Sequence, residues 1–314
     1  MRAILTPECC SITQDDAVNP MQAHPTMIQG MIHQLNQTLN LQRLSAFLML
    51  IAFVCASTTT QAANQPASES KHFKATAQTS TLAIPGEDAL LIIEITVDKD
   101  WHTYWPGIND TGYGLSVTPF PSEHLTFGEP FYPTPTRHLA AGNILDHIYE
   151  DTFQVLIPYT VSDDAQPGTR FAIGASIDAL VCNQICIPES DAISLMLAVI
   201  NPTDHTFTRQ EAIDTYSSRP TDLTSVTPKW TKDTAQLRIP GATHYQFFPS
   251  DDCTQPANLI KEGDTKSKVL TITFDRSYED DPTTPAVLSG RIRAKILDTW
   301  QEFNIHFVQE GSNP

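Results

Sequence analysis

Long apolar runs are almost absent from this 314-residue chain. Only residues 44–56 (Leu-Ser-Ala-Phe-Leu-Met-Leu-Ile-Ala-Phe-Val-Cys-Ala) form one, and its 13 residues fall short of the roughly 20 that a membrane-spanning helix needs. Positive charge is scarce as well: 19 Lys and Arg face 36 Asp and Glu, a formal charge of -17. Such a surface repels phosphate backbones and anionic lipid, which excludes nucleic-acid binding and any lipid contact beyond that one apolar run. Glycine is sparse, 13 against 23 prolines, and Thr, Ser and Asp separate short apolar runs, a mix that suits an all-β chain with many turns rather than a helical bundle. The chain has no Gly-x-Ser-x-Gly elbow, no His-Glu-x-x-His and no phosphate-cradling glycine loop, so hydrolase chemistry finds little support and no cofactor is implied. Fixed-period repeats, coiled-coil heptads and low-complexity tracts are missing too.

What is present begins with a leader. Arg43 precedes the apolar run, and Thr58-Thr59-Thr60-Gln61-Ala62-Ala63 follows it with small residues suited to cleavage after Ala62 or Ala63. This is the pattern of a secretory signal peptide, with an uncleaved signal anchor as the alternative. Met27 and Met31 lie where such a leader ordinarily begins, so translation is expected to start downstream of Met1. Residues 1–63 are therefore read as leader and 64–72 as a polar linker. Cys9, Cys10 and Cys55 go with the leader, leaving Cys182, Cys186 and Cys253. One close pair and one odd thiol do not make a disulfide framework.

From residue 73 the period is two. Leu91, Ile93, Ile95 and Val97 alternate with Ile92, Glu94, Thr96 and Asp98, as in a half-buried strand. Phe153–Tyr159 and Phe171–Val181 repeat the pattern, and residues 192–200 are expected to return as the partner of the latter. Residues 206–217 are the best helix candidate, with Thr208 as cap, Glu211 three residues on, and Ala212, Ile213 and Tyr216 as the apolar face. Ser218-Arg219-Pro220 ends it. Further strands are expected at 235–239, 245–248, 269–274, 287–296 and 303–308. The organisation read from these patterns is a first β-sandwich over 73–203, a helix and linker over 204–225, and a second, smaller β-sandwich over 226–310.

Residues 180–189 (Leu-Val-Cys-Asn-Gln-Ile-Cys-Ile-Pro-Glu) hold the chemistry. Cys182 and Cys186 lie at the end of an alternating strand, in a chain bound for export. A ring this small stabilises a fold by only about 2 kcal/mol in the chain-entropy account, which favours a redox role over a staple. Thiol–disulfide exchange needs one cysteine to form the mixed disulfide and a second to displace it. No Lys or Arg is near the pair in sequence, whereas Asp178, Glu189 and Asp191 are. Negative charge disfavours a thiolate, so the pair is expected to be a poor nucleophile alone and to act once a partner's cysteine attacks its disulfide. Three other readings stand beside this one: an inert structural bridge, a non-catalytic adaptor, and a soft Cu(I) or zinc site completed by His102 or His147. The spacing is not a standard zinc pattern and the six methionines are not clustered. Cys253, among acidic neighbours that favour an unreactive thiol, reads as incidental or at most intermolecular.

Trp101-His102-Thr103-Tyr104-Trp105-Pro106-Gly107, Gly112-Tyr113-Gly114, Phe131-Tyr132-Pro133-Thr134-Pro135 and Cys182-Asn-Gln-Ile-Cys186-Ile-Pro188-Glu189 occur in the order of one family. They resemble the N-terminal periplasmic domain of the thiol:disulfide interchange protein DsbD, especially relatives of the copper-sensitivity suppressor type, ScsB. Tyr245-Gln246-Phe247-Phe248-Pro249 resembles an element of the second β-domain of the longer relatives, so the likeness spans roughly residues 73–310. The resemblance implies an immunoglobulin-like fold in the periplasm. It implies a domain that takes electrons from a membrane-embedded thiol/disulfide transporter and passes them to periplasmic disulfide oxidoreductases or isomerases. No multi-span membrane region and no thioredoxin-like Cys-x-x-Cys occurs in these 314 residues, so the transporter is expected to be another chain. The resemblance makes Cys182 and Cys186 the catalytic pair, with Cys186 bonding partners and Cys182 resolving. It places His102 and Tyr104 on a strand beside the cysteines, and Asp146, His147, Ile148 and Tyr149 in a loop that caps them. Tyr104 and Tyr149 also read as half-buried packing residues and His147 as a solvated loop histidine. Trp101 and Trp105 read as packing.

Overall fold

The computed structural model describes residues 71–204, 207–278 and 284–310. The leader and most of the linker lie outside the described residues. Ser70–Pro314 forms one compact unit. Its first half carries β1 (Phe73–Thr79), β2 (Asp88–Val97), β3 (Thr103–Tyr104), β4 (Ser116–Pro119), β5 (Leu125–Phe127), β6 (Thr136–Ala140), β7 (Ile144–Tyr149), β8 (Thr152–Val161), β9 (Arg170–Cys182) and β10 (Cys186–Ala198). Helix α1 (Gln210–Ser217) follows. The second half carries β11 (Thr221–Asp222), β12 (Lys229–Trp230), β13 (Thr234–Leu237), β14 (Ala242–Pro249), α2 (Leu259–Glu262), β15 (Asp264–Thr265), β16 (Leu270–Thr273), β17 (Val287–Ile296) and β18 (Thr299–Val308). The fold is all-β, as the turn-rich composition and the two-residue periods require.

In the first half, sheet β1-β2-β8-β5 faces sheet β10-β9-β4. The inward residues of β2 (Leu91, Ile93, Ile95, Val97) and β8 (Val155, Ile157, Tyr159) pack against those of β9 (Ile173, Ala175, Ile177, Ala179, Val181). The partner strand of β9 starts at Cys186 itself, six residues before the expected 192. A third small sheet, β3-β7-β6, stands at the cysteine end. In the second half, sheet β11-β18-β17-β14-β15 covers sheet β12-β13-β16 over its own core, which includes Tyr245, Phe247, Leu270, Ile272 and Ile292.

Two local expectations change. β2 is buried on both faces in its first half, because Ala212, Ile213 and Tyr216 of α1 cover Leu90 and Ile92 on the face that alternation alone leaves to solvent. The helix also starts later than expected: Arg209 occupies the N-cap position and no side chain caps it, so Thr208 is not the cap. Among the described residues no helix is long and apolar enough to cross a membrane.

The halves are joined by crossed arginines. Arg137 on β6 reaches into the second half, where its Nη1 and Nη2 donate to the carbonyls of Phe247 (3.2 Å) and Leu259 (2.8 Å). Arg291 on β17 reaches back. Its Nη1 donates to the Tyr132 carbonyl (2.9 Å) and Thr134 Oγ1 (3.1 Å), with its guanidinium against the rings of Trp105 and Phe131. Burial lowers the pKa of both guanidinium groups, yet from so high a starting point that both stay charged.

Candidate redox site

Strands β9 and β10 form one long antiparallel hairpin, and its last facing pair is Cys182 and Cys186. Only Asn183, Gln184 and Ile185 turn the chain between them. Two facing residues point to the same side of the sheet, with Cα atoms 4.1 Å apart here, and the sulfurs are joined as a disulfide. The two cysteines differ in exposure. Cys182 is 2% exposed and packs with Tyr104, Ile148 and Leu180, whereas Cys186 is exposed, next to the open side chain of Ile185.

The other edge of β9 faces His102. The two residues exchange both backbone hydrogen bonds, His102 N–H to the Cys182 carbonyl and the reverse, each 2.9 Å. His102 therefore shares a sheet side with Cys182, and Tyr104, two residues on, shares it too. The Tyr104 hydroxyl donates to Cys182 Sγ at 3.1 Å and lies 3.8 Å from Cys186 Sγ. Burial, opposed in part by the Thr111 side chain, raises the Tyr104 pKa, so the phenol keeps its proton and remains a donor. His102 is shifted down, first by burial and then by His138, whose ring stacks on it from β6 with centroids 5.7 Å apart.

Asp146, His147, Ile148 and Tyr149 are not a loop. They form the C-terminal part of β7, the central strand of the small sheet, and all four are buried. Ile148 pairs with Tyr104 across β3 and joins the cluster under Cys182. Tyr149 turns away, stacks on Phe153 and donates to the Pro133 carbonyl at 2.7 Å. His147 is 0% exposed rather than solvated. Its Nδ1 lies 3.0 Å from the Ile108 carbonyl, and its ring meets the edge of Phe248. Burial drives its pKa down to about 4, so it is neutral at pH 7.

What those residues do is fasten a different loop, residues 105–114, over Tyr104. Asp146 accepts from the Thr111 backbone N–H (3.0 Å) and hydroxyl (2.6 Å). Asp110 accepts from the Leu145 N–H at 2.6 Å, and Asn109 from the His147 N–H at 2.8 Å. Gly112 then stands against the phenol: a Cβ there would lie 2.4 Å from three atoms of the Tyr104 ring. Of the residues that matter here, Thr111, Asn109 and His138 carried no sequence signal. Gly112 did, as part of Gly-Tyr-Gly, without a role being readable from it.

The acidic neighbours are engaged elsewhere. Glu189 accepts from the His72 backbone N–H and sits 2.6 Å from its Nδ1. Asp191 pairs with Lys71 at 2.8 Å, and Asp178 accepts from Ser190. Trp101 stacks on His72, and Trp105 is buried at the join between the halves. Cys253 is a buried free thiol whose pKa burial raises to about 12. Among the described residues no group of three or more His, Cys, Asp or Glu is placed to hold a metal ion.

The arrangement is a disulfide between an exposed cysteine and a buried one, with a phenolic donor on the buried sulfur. Residues 70–198 match the family described as thiol:disulfide interchange protein DsbD, N-terminal. Among solved structures, the chain resembles the N-terminal periplasmic domain of ScsB from Proteus mirabilis, with 16% identity and a TM-score of 0.47 over 75% of this chain and 94% of that one. It also resembles the reduced DsbD N-terminal domain of Neisseria meningitidis, with 11% identity and a TM-score of 0.24 over 41% of this chain and 88% of that one. No curated protein matches it.

Proposed function

We propose that the protein is a periplasmic thiol–disulfide interchange module that relays electron pairs between a membrane thiol/disulfide transporter and periplasmic disulfide oxidoreductases. The single observation that carries the reading is the unequal exposure of two bonded cysteines, with Tyr104 donating to the sulfur of the hidden one.

The chemistry follows from that inequality. To load the pair, a partner thiolate bonds to Cys186 Sγ, the Cys182–Cys186 bond breaks, and its electron pair leaves on Cys182 Sγ. The developing thiolate sits at a phenolic hydroxyl, and a hydrogen bond to an ionised acceptor is about twice as strong as a neutral one. A second thiolate on the partner then attacks the mixed disulfide and departs oxidised, leaving both cysteines reduced. To unload, Cys186 attacks an oxidised partner, and Cys182 displaces that partner as a dithiol. Two electrons move in each direction and no cofactor takes part.

The test is a reduction potential joined to a trap. Equilibration of the full chain in thiol/disulfide buffers should give a potential above about -300 mV, the value below which structural bridges lie. Cys182→Ala should hold a purified thioredoxin-fold oxidoreductase as a mixed disulfide through Cys186, and Cys186→Ala should not. A potential far below that limit, with no trapped species, would leave an inert bridge as the description.

A further inference from the structure

Loop 105–114 touches the redox site at one end and the second half of the molecule at the other. Trp105 Nε1 and the Ile108 N–H both donate to the Pro249 carbonyl, at 3.2 and 3.1 Å. Gly107 bridges Ser250, and a Cβ on it would come within 2.3 Å of that same carbonyl, so only glycine allows the approach. Five residues along, Gly112 stands against the Tyr104 ring. The ring has little room to retreat, because Ile148, Leu180 and Cys182 pack around it and the side chain is 2% exposed. A methyl group at residue 112 must therefore move the phenol, and with it the oxygen 3.1 Å from Cys182 Sγ.

We propose that Gly112 is a positioning residue for the cysteine pair: in a loop anchored on Pro249, it holds the Tyr104 hydroxyl against Cys182, and the second sandwich thereby sets how readily the disulfide opens. The proposal rests on the thiol-exchange reading and deepens it. It assigns the second half a task that needs no partner of its own. When an incoming thiolate bonds to Cys186 Sγ and the Cys182–Cys186 electron pair leaves on Cys182, the stabilisation of that leaving sulfur depends on where the phenol stands. Its place is fixed by Gly112 from one side and by the packed cluster from the other. Pro249 acts at a distance, by holding the loop.

The experiment measures opening of the disulfide by dithiothreitol in the full chain, quenched by alkylation and read by mass spectrometry. Tyr104→Phe removes the donor and should slow opening about tenfold, the loss of one charge-assisted hydrogen bond in the transition state. Gly112→Ala should slow it to a similar degree. The double variant should be no slower than Tyr104→Phe alone, since Gly112 acts only through the hydroxyl. Trp105→Phe keeps an aromatic ring and removes the bond to Pro249, and should slow opening in the same direction. A second readout is the 13C resonance of Tyr104 Cζ, which should move in Gly112→Ala and in Trp105→Phe. Wild-type opening rates in Gly112→Ala, or additive losses in the double variant, would overturn the proposal. An unmoved Trp105→Phe would remove the second sandwich from it. If the wild-type disulfide proves inert to thiols, the exchange reading fails by itself. The Tyr104 resonance then still decides the positioning: unmoved in Gly112→Ala, it overturns that as well.

Discussion

Arg291 offers the sharpest test of how the two halves hold together. It is 6% exposed and ends in the other sandwich, with two donor contacts and two rings against its guanidinium. Its Nε has no partner, so the side chain bears an uncompensated desolvation cost. Arg291→Ala removes both hydrogen bonds and leaves the Tyr132 carbonyl without that donor in a buried place. Breaking a buried charged contact in this way costs about 3–4 kcal/mol. Arg291→Met keeps the aliphatic stem between Trp105 and Phe131 and also removes the buried charge, so its cost should be about 1–2 kcal/mol. The two variants should therefore differ by about 2 kcal/mol, a large fraction of the stability of an ordinary domain. Urea unfolding followed by tryptophan fluorescence and far-ultraviolet circular dichroism reads this directly, since Trp105 lies at the join and Trp230 and Trp300 lie in the second half. The wild type should unfold in one transition and Arg291→Ala in two. If both variants match the wild type within roughly 0.5 kcal/mol and keep a single transition, the crossed arginines are not what joins the halves.

Three other outcomes are expected. His147 has a pKa of about 4 in the fold against 6.5 when free, so the unfolded chain binds the extra proton between those values; stability should be full above pH 6.5 and fall by about 3 kcal/mol as pH drops to 4. His147→Asn should flatten that slope in denaturant titrations at several pH values, and an unchanged slope would show that another group is responsible. Cys253, buried with its thiol pKa near 12, should resist iodoacetamide at pH 8 in the native protein and react only when urea unfolds it; rapid native labelling would contradict its burial. Ala212→Asp would set a carboxylate of α1 against Leu90 and Ile92 and should cost roughly 2–4 kcal/mol in the same urea assay, whereas a neutral result would mean that the helix does not hold that face.

The strands of both cores were legible because their side chains face a core on one side and water on the other. The alternating apolar residues of β8 and β9 mark those strands even though Leu156 of β8 is buried on the opposite face, and Cys182 could be placed at the end of β9 from them. The alternation fails where both faces are covered. The family resemblance places Asp146-His147-Ile148-Tyr149 in a loop, yet the segment is a strand buried on both sides. Asp146 is held by Thr111 and His147 Nδ1 by the Ile108 carbonyl, contacts made by a loop some 35 residues earlier, and no local pattern encodes them. The arginine exchange was hidden for the same reason: a buried guanidinium and a solvated one look alike in sequence. Gly112 was visible as a residue and silent as to purpose, because the need for a missing side chain appears only once the Tyr104 ring is in place.

The crossing of Arg137 and Arg291 has a bearing on how such a molecule can change over generations. Each half carries a key cut for a lock on the other. A half exchanged whole with a distant cousin would arrive with a key that fits nothing and a lock left empty, so the pair is expected to be inherited together even while its outer loops drift.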